Sequence, residues 1–225
     1  MKLRNWLARV VRPVVSSRLN NATQSRRSTY LSRRLTAATL ETLEDRALLS
    51  SISASLVNGD LTISDSDATG KNNFLSVSVS GSNLVVSDSF ETFIAAPSGG
   101  VLSNGNTTLT IPLASVTGTL TIDGGKGTDN ISINALNGLL GGLSVNGGEG
   151  DDSVTFNGDI TFATNASLDV DLQNDAATPG VDQVTVNNDA NLVLSGTGPA
   201  TMKVSKSIQF NPGSSLITAN GNLTL

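Results

Sequence analysis

The strongest constraint in this 225-residue chain is an internal repeat: residues 118–134 recur, 23 residues further on, as residues 141–157. Gly118, Leu120, Gly124, Gly125, Gly127, Asp129 and Asn134 return as Gly141, Leu143, Gly147, Gly148, Gly150, Asp152 and Asn157. The apolar positions Ile122, Ile131 and Ile133 return as Val145, Val154 and Phe156. A degenerate third copy, Gly180-Val181-Asp182-Gln183-Val184-Thr185-Val186-Asn187, lies 30 residues beyond the second, after an insertion. A unit this short cannot bury its apolar side chains alone and must stack on its neighbours.

The grammar inside and around the repeat is that of β-strands. From residue 51 on, short runs alternate apolar residues with Ser, Thr, Asn and Asp, as in Leu75/Val77/Val79, Leu168/Val170/Leu172 and Val184/Val186. Period two sends one set of side chains inward and the other to solvent. Gly, Asn and Asp punctuate the runs, as turns with positive φ demand. About 15 short strands and no significant helix are expected. A period near 23 suits one coil of a right-handed parallel β-helix, and the small aliphatic side chains suit its narrow interior. An antiparallel β-sandwich is the alternative, since short strands and Gly-rich turns also permit it. Three regions result: a basic lead (1–50), a β-rich cap or start of the solenoid (51–114), and β-helix repeats (115–225). The pattern still reads as strand at Leu223-Thr224-Leu225. The repeats are therefore expected to continue in a longer protein, and an unpaired last coil to allow end-to-end self-association.

Composition narrows the chemistry. The chain has no Cys and no His, which removes disulfides, Cys/His metal sites and Ser-His or Cys-His catalytic pairs. Residues 51–225 contain no Arg and only Lys71, Lys126, Lys203 and Lys206. A lyase acting on acidic sugars wants a basic cluster, which these scattered Lys do not form; a glycosidase wants two opposed carboxylates, which any acidic β-rich chain offers by chance, and aromatic sugar platforms, for which six Phe without Trp or Tyr in residues 51–225 are poor. The expectation is a protein that is not an enzyme, with a carbohydrate-active β-helix as the weaker alternative.

The net charge of -5 hides two opposite parts. Residues 1–50 carry ten basic and three acidic side chains, whereas residues 51–225 carry four Lys against sixteen acids. The acidic part should repel nucleic acid, because phosphate binding needs clustered Lys and Arg. No stretch reaches the ~20 apolar residues of a membrane span. The lead is Arg- and Ser-rich with no acid before Glu41. It fits a targeting segment, either for export or, alternatively, for an organelle, and equally a basic tail without structure of its own. Near its end, Leu40, Leu43 and Ala47 fall on one face of a short amphipathic helix that Thr39 would cap.

The string Leu43-Glu44-Asp45-Arg46-Ala47-Leu48-Leu49 resembles the LEPR-XLL segment of planctomycete surface proteins, which comes after a basic lead and precedes repetitive β-rich regions. Asp45 stands where that family has Pro. The resemblance covers about a dozen residues. It implies an exported or cell-surface protein without catalytic activity.

Gly124-Gly125-Lys126-Gly127-Thr128-Asp129-Asn130-Ile131-Ser132 and Gly147-Gly148-Glu149-Gly150-Asp151-Asp152-Ser153-Val154-Thr155 match the nonapeptide GGxGxDxUx at every fixed position. Glycines allow a tight turn whose carbonyls face a cation, and the Asp adds a hard anionic oxygen; Ca²⁺ takes six to eight oxygens. In this respect the chain resembles the RTX family, although RTX nonapeptides run in tandem and these do not. The resemblance makes Gly125, Gly127, Asp129, Gly148, Gly150 and Asp152 candidate calcium ligands and Ca²⁺ the candidate cofactor. The other reading is structural: the glycines make the turn and each Asp caps it through backbone N–H groups. Stacking in register would place Lys126 over Glu149 and Asp129 over Asp152, a like-charge contact that a cation would relieve.

Together these features lead us to expect an acidic, exported or cell-surface β-solenoid, structural or adhesin-like, with a surface or matrix component as partner. A calcium-dependent RTX-like module is the alternative.

Overall fold

The computed structural model describes residues 51–66, 69–137, 141–173 and 180–225. The basic lead, with its LEPR-XLL-like helix, lies outside the described residues. Among those described, regular structure is all β apart from one 3₁₀ turn, Leu113–Ser115. No described helix is long and apolar enough to cross a membrane.

The first seven strands are β1 (Ser51–Val57), β2 (Asp60–Asp65), β3 (Phe74–Ser80), β4 (Asn83–Asp88), β5 (Thr92–Phe93), β6 (Val101–Ser103) and β7 (Thr108–Pro112). Here neighbours in sequence pair antiparallel: β1 with β2, β3 with β4, and β7 with both β4 and β6. The β1–β2 hairpin turns on Asn58-Gly59, both at positive φ, the favoured composition for a two-residue turn that matches strand twist.

From Leu120 the pairing changes to parallel. The strands are β8 (Leu120–Asp123), β9 (Asn130–Ile133), β10 (Leu136–Asn137), β11 (Leu143–Asn146), β12 (Ser153–Phe156), β13 (Ile160–Thr164) and β14 (Leu168–Asp171). They continue as β15 (Gln183–Val186), β16 (Asn191–Ser195), β17 (Ala200–Lys203), β18 (Ser207–Phe210), β19 (Ser215–Thr218) and β20 (Leu223–Thr224). One sheet has the order β20-β17-β14-β11-β8-β2-β1-β5, a second β18-β15-β12-β9-β3-β4-β7-β6, and a third β10-β13-β16-β19. From β8 on, the chain therefore visits the three sheets in the same order on each pass. β2 and β3 are the joints: each has an antiparallel partner on one side and a parallel one, β8 or β9, on the other.

Register explains why the parallel ladders form. Leu61, Leu120, Leu143, Leu168 and Ala200 lie side by side across the first sheet, with Ile63, Ile122, Val145, Val170 and Met202 beside them. The second sheet aligns Leu75, Ile131, Val154 and Val184, and the third Leu136, Ile160 and Leu192. All of these are at most 1% exposed and belong to one core cluster. That cluster also takes in Ile52, Leu84 and Val86 from the antiparallel strands and Phe93 from β5, which pairs parallel with β1. A shift of one residue would turn every apolar side chain to solvent, so alternation and register enforce each other.

Among the described residues there are twenty strands where the alternation suggested about 15. The surplus includes two-residue pairings such as β5 and β10, too short for any alternation to show. The degenerate third copy is in place: Gln183 to Val186 pair residue by residue with Ser153 to Phe156.

The core predicts its own sensitivity. Ile131→Ala, in the middle of a fully buried column, should destabilise the fold by about 2–5 kcal/mol. Val101→Ala, at 64% exposure, should change it by less than about 0.5 kcal/mol. Urea denaturation of the two variants, compared at equal m-value, checks the contrast.

Candidate functional site

The two glycine-rich turns join β8 to β9 and β11 to β12, and because their flanking strands pair in register, the second turn stacks on the first. The stacking is made by the backbone. Gly124 N–H donates to the Asn146 carbonyl at 3.0 Å, Glu149 N–H to Gly125 at 2.8 Å, and Gly127 N–H to Glu149 at 2.8 Å. The side chains of Lys126 and Glu149 meet at 3.1 Å, both about half exposed. Such a pair is worth roughly 0–1 kcal/mol.

Two different reasons require glycine here. Gly127 and Gly150 have φ of 130° and 134°, a region that residues with a Cβ rarely enter; a Cβ on Gly150 would also collide with the Gly127 carbonyl. Gly124 is not at positive φ. A Cβ there would strike the Gly147 carbonyl and come within 2.5 Å of Asp129 Oδ2. The first glycine therefore makes room for a carboxylate folded beneath the turn.

The aspartates are buried: Asp129 is 1% exposed, Asp152 2% and Asp182 0%. They form a ladder with a constant direction. Asn73 N–H donates to Asp129 Oδ1 at 2.7 Å, Asp129 N–H to Asp152 Oδ1 at 2.9 Å, and Asp152 N–H to Asp182 Oδ1 at 2.9 Å. Asp182 N–H ends the series on Ser205 Oγ at 2.8 Å. Each side chain thus accepts the backbone N–H of the residue one coil earlier. Each bond crosses from one pass of the chain to the next, so the ladder joins five successive passes at their turns.

Sequence reasoning found Asp129 and Asp152 and aligned Asp182 with them, but it missed Asn73. No glycine triad precedes Asn73. The signal lay instead on its C-terminal side: Asn73-Phe74-Leu75-Ser76-Val77 has the pattern of Asp129-Asn130-Ile131-Ser132-Ile133. Asn73 is fully buried and its Nδ2 donates to the Gly124 carbonyl at 3.0 Å and to Asp65 Oδ2 at 3.2 Å.

The stacked turns bring the six residues together, and three of their oxygens accept hydrogen bonds. Gly125 O accepts a backbone N–H, and Asp129 Oδ1 and Asp152 Oδ1 accept the ladder bonds. Asp129 Oδ2 is buried without a hydrogen-bond partner. Burial pushes the Asp129 carboxyl up to about 8; the charges of Asp152 and Asp65 add to this, and the Asn73 N–H bond opposes it. Among the described residues no three Asp or Glu side chains converge as a group that could hold a metal ion. What the arrangement does chemically is tie one pass of the chain to the next, with one proton of raised affinity at Asp129.

No family model, curated protein or solved structure matches this chain.

Asp129 makes stability depend on pH. Its carboxyl binds a proton more tightly in the folded chain (about 8) than at its ordinary value of 3.8, so its contribution is complete below pH 4 and is lost as pH rises through about 8. Within that window the slope should approach ~1.4 kcal/mol per pH unit. Asp129→Asn keeps the acceptor for Asn73 and has no proton to lose, so it should flatten that dependence. Urea midpoints between pH 4 and 9 measure the difference.

Proposed function

We propose that the chain is a non-catalytic, exported or cell-surface structural protein, adhesin-like, whose body is a right-handed parallel β-helix closed at its first coils by antiparallel strands. The observation that carries the reading is the repeated passage through three sheets in constant order, with apolar columns and hydrogen-bonded turns in register at every coil. Such a body offers a stiff scaffold with Ser-, Thr- and Asn-lined outer faces. Asn187 Nδ2 donates to Asn157 Oδ1 at 2.6 Å, and Asn211 Nδ2 to Asn187 Oδ1 at 3.0 Å, an external amide ladder that stiffens the same coils. Burial of the motif aspartates as staples gives them a structural task rather than a catalytic one. The LEPR-XLL resemblance of residues 43–49 supplies the expectation of export, and the acidic, Arg-free body is unsuited to a nucleic-acid partner.

An impermeant amine reagent applied to intact producing cells tests the location. Lys126 and Lys203 have half-exposed side chains and should be modified before lysis. Modification only after lysis would overturn the surface reading.

One observation favours the RTX-like alternative: Asp129 Oδ2 is buried with no hydrogen-bond partner, a place where a cation would be welcome. On the structural reading, the chain has the same β circular dichroism and the same melting temperature in chelator and in millimolar calcium. A rise of several degrees with calcium, absent in Asp129→Asn, would transfer the assignment to a calcium-dependent module.

A further inference from the structure

Six Asn-Gly pairs occur in the chain, at Asn58, Asn104, Asn137, Asn146, Asn157 and Asn220. In such a pair the backbone nitrogen of the glycine, with no Cβ beside it, can attack the asparagine Cγ. Asparagine is for this reason among the chemically labile residues. The attack needs a glycine N–H that is not engaged, an Asn side chain that is not fixed elsewhere, and room for the peptide between them to rotate. Gly138 lies outside the described residues; the other five pairs meet these conditions to different degrees.

Three of the five are held by the coils. Gly147 N–H donates to the Asp171 carbonyl at 3.2 Å, so the nitrogen beside Asn146 is engaged. Asn157 is fixed at both ends of its amide: Nδ2 donates to Ser132 Oγ at 2.6 Å, and Oδ1 accepts Asn187 Nδ2 at 2.6 Å. Asn220 N–H donates to the Gly196 carbonyl at 2.9 Å, and Gly221 lies so close to the Gly198 carbonyl that a Cβ would collide with it. Asn58 is exposed, but Gly59 is seated against Thr117. A Cβ on Gly59 would strike Thr117 Oγ1, and its carbonyl accepts the Gly118 N–H at 3.0 Å.

Asn104-Gly105 is placed differently. The pair opens the loop 104–107 between β6 and β7. Asn104, Gly105 and Asn106 are all exposed, with φ of 54°, 68° and 68°. A Cβ on Gly105 would meet nothing within 4 Å, and among the described residues its N–H has no acceptor. The Asn104 carbonyl accepts the Thr107 hydroxyl at 2.9 Å, and its Nδ2 donates to Thr108 Oγ1 at 3.1 Å. Both bonds are exposed, so water can replace either partner at little net cost. This peptide can therefore rotate without disturbing a neighbouring coil.

We propose that Asn104 is a site of spontaneous deamidation. The Gly105 nitrogen bonds to Asn104 Cγ, the Cγ–Nδ2 bond breaks, and ammonia leaves with the Gly105 proton. Water then opens the cyclic imide at either carbonyl, which leaves Asp or isoaspartate at position 104. The place matters because β6 is the last strand of its sheet and no charged residue occurs from Thr92 to Ile122. Conversion sets a carboxylate beside that uncharged free edge, where charge opposes pairing with another chain.

Peptide mapping by mass spectrometry tests it, on the full chain held folded in mildly alkaline buffer and sampled over time. The peptide with Asn104 is expected to gain the mass of an amide-to-acid change first. It should do so at least about tenfold faster than those with Asn146 and Asn157, which must open locally to react. Isoaspartate at position 104, detected by enzymatic methylation, identifies the cyclic route. In urea the five pairs should converge in rate, because the restraint is the fold. An Asn104 that stays intact, earlier conversion at any of the other four pairs, or an equally wide spread of rates in urea would overturn the assignment.

Discussion

Parallel strands stacked in register place every side chain against its counterpart on the neighbouring strand, at the ~4.8 Å spacing of the backbone ladder. The rest of this structure depends on how each residue type meets that condition. Aliphatic side chains meet it well, and columns such as Leu61, Leu120, Leu143 and Leu168 fill the interior. Glycine meets it in the turns, where a Cβ would collide with the carbonyl of the neighbouring coil. Opposite charges meet it on the surface, where Lys126 stacks on Glu149. Like charges do not, and Asp129 beside Asp152 and Asp182 is the exception that must be accommodated.

The accommodation is chemical rather than ionic. Each aspartate turns its Oδ1 to the backbone N–H of the preceding coil, so a group that would repel its neighbour in water becomes an acceptor for it. The cost remains visible at Asp129, whose carboxyl is pushed up by burial and by the nearby Asp152 and Asp65. A glycine triad followed by Asp serves this purpose as well as it would serve a cation. Short side chains let the turns approach, and the acid then satisfies a donor that the approach would otherwise bury.

The antiparallel strands solve a different problem. A parallel ladder must begin somewhere, and a bare first strand would present unpaired N–H and C=O groups. Here β1 and β4 pair with β2 and β3 on the sides away from the repeats. The same region carries the loop with Phe90, whose N–H is held by Asp88 and whose ring is the most exposed aromatic ring among the described residues.

Much of this was legible in the sequence because it is local or strictly periodic. Alternation marked the inward residues, Gly and Asn marked the turns, and the 23-residue repeat fixed which residues lie side by side, down to Lys126 on Glu149 and Asp129 on Asp152. Other features have no local pattern to announce them. Asn73 reaches Asp129 across 56 residues of chain, through a stretch of antiparallel strands that breaks the period. Whether an Asp in a turn is solvated or buried depends on the coil beneath it, and whether Phe90 packs inward or stands in solvent depends on Asp88. The strands, their inward faces and the contacts between repeats could thus be read from the chain alone, since a period of two and a repeat of fixed length dictate them. Burial, the proton held at Asp129 and the exposure of Phe90 arose only when distant segments packed, because each depends on which neighbours exclude water.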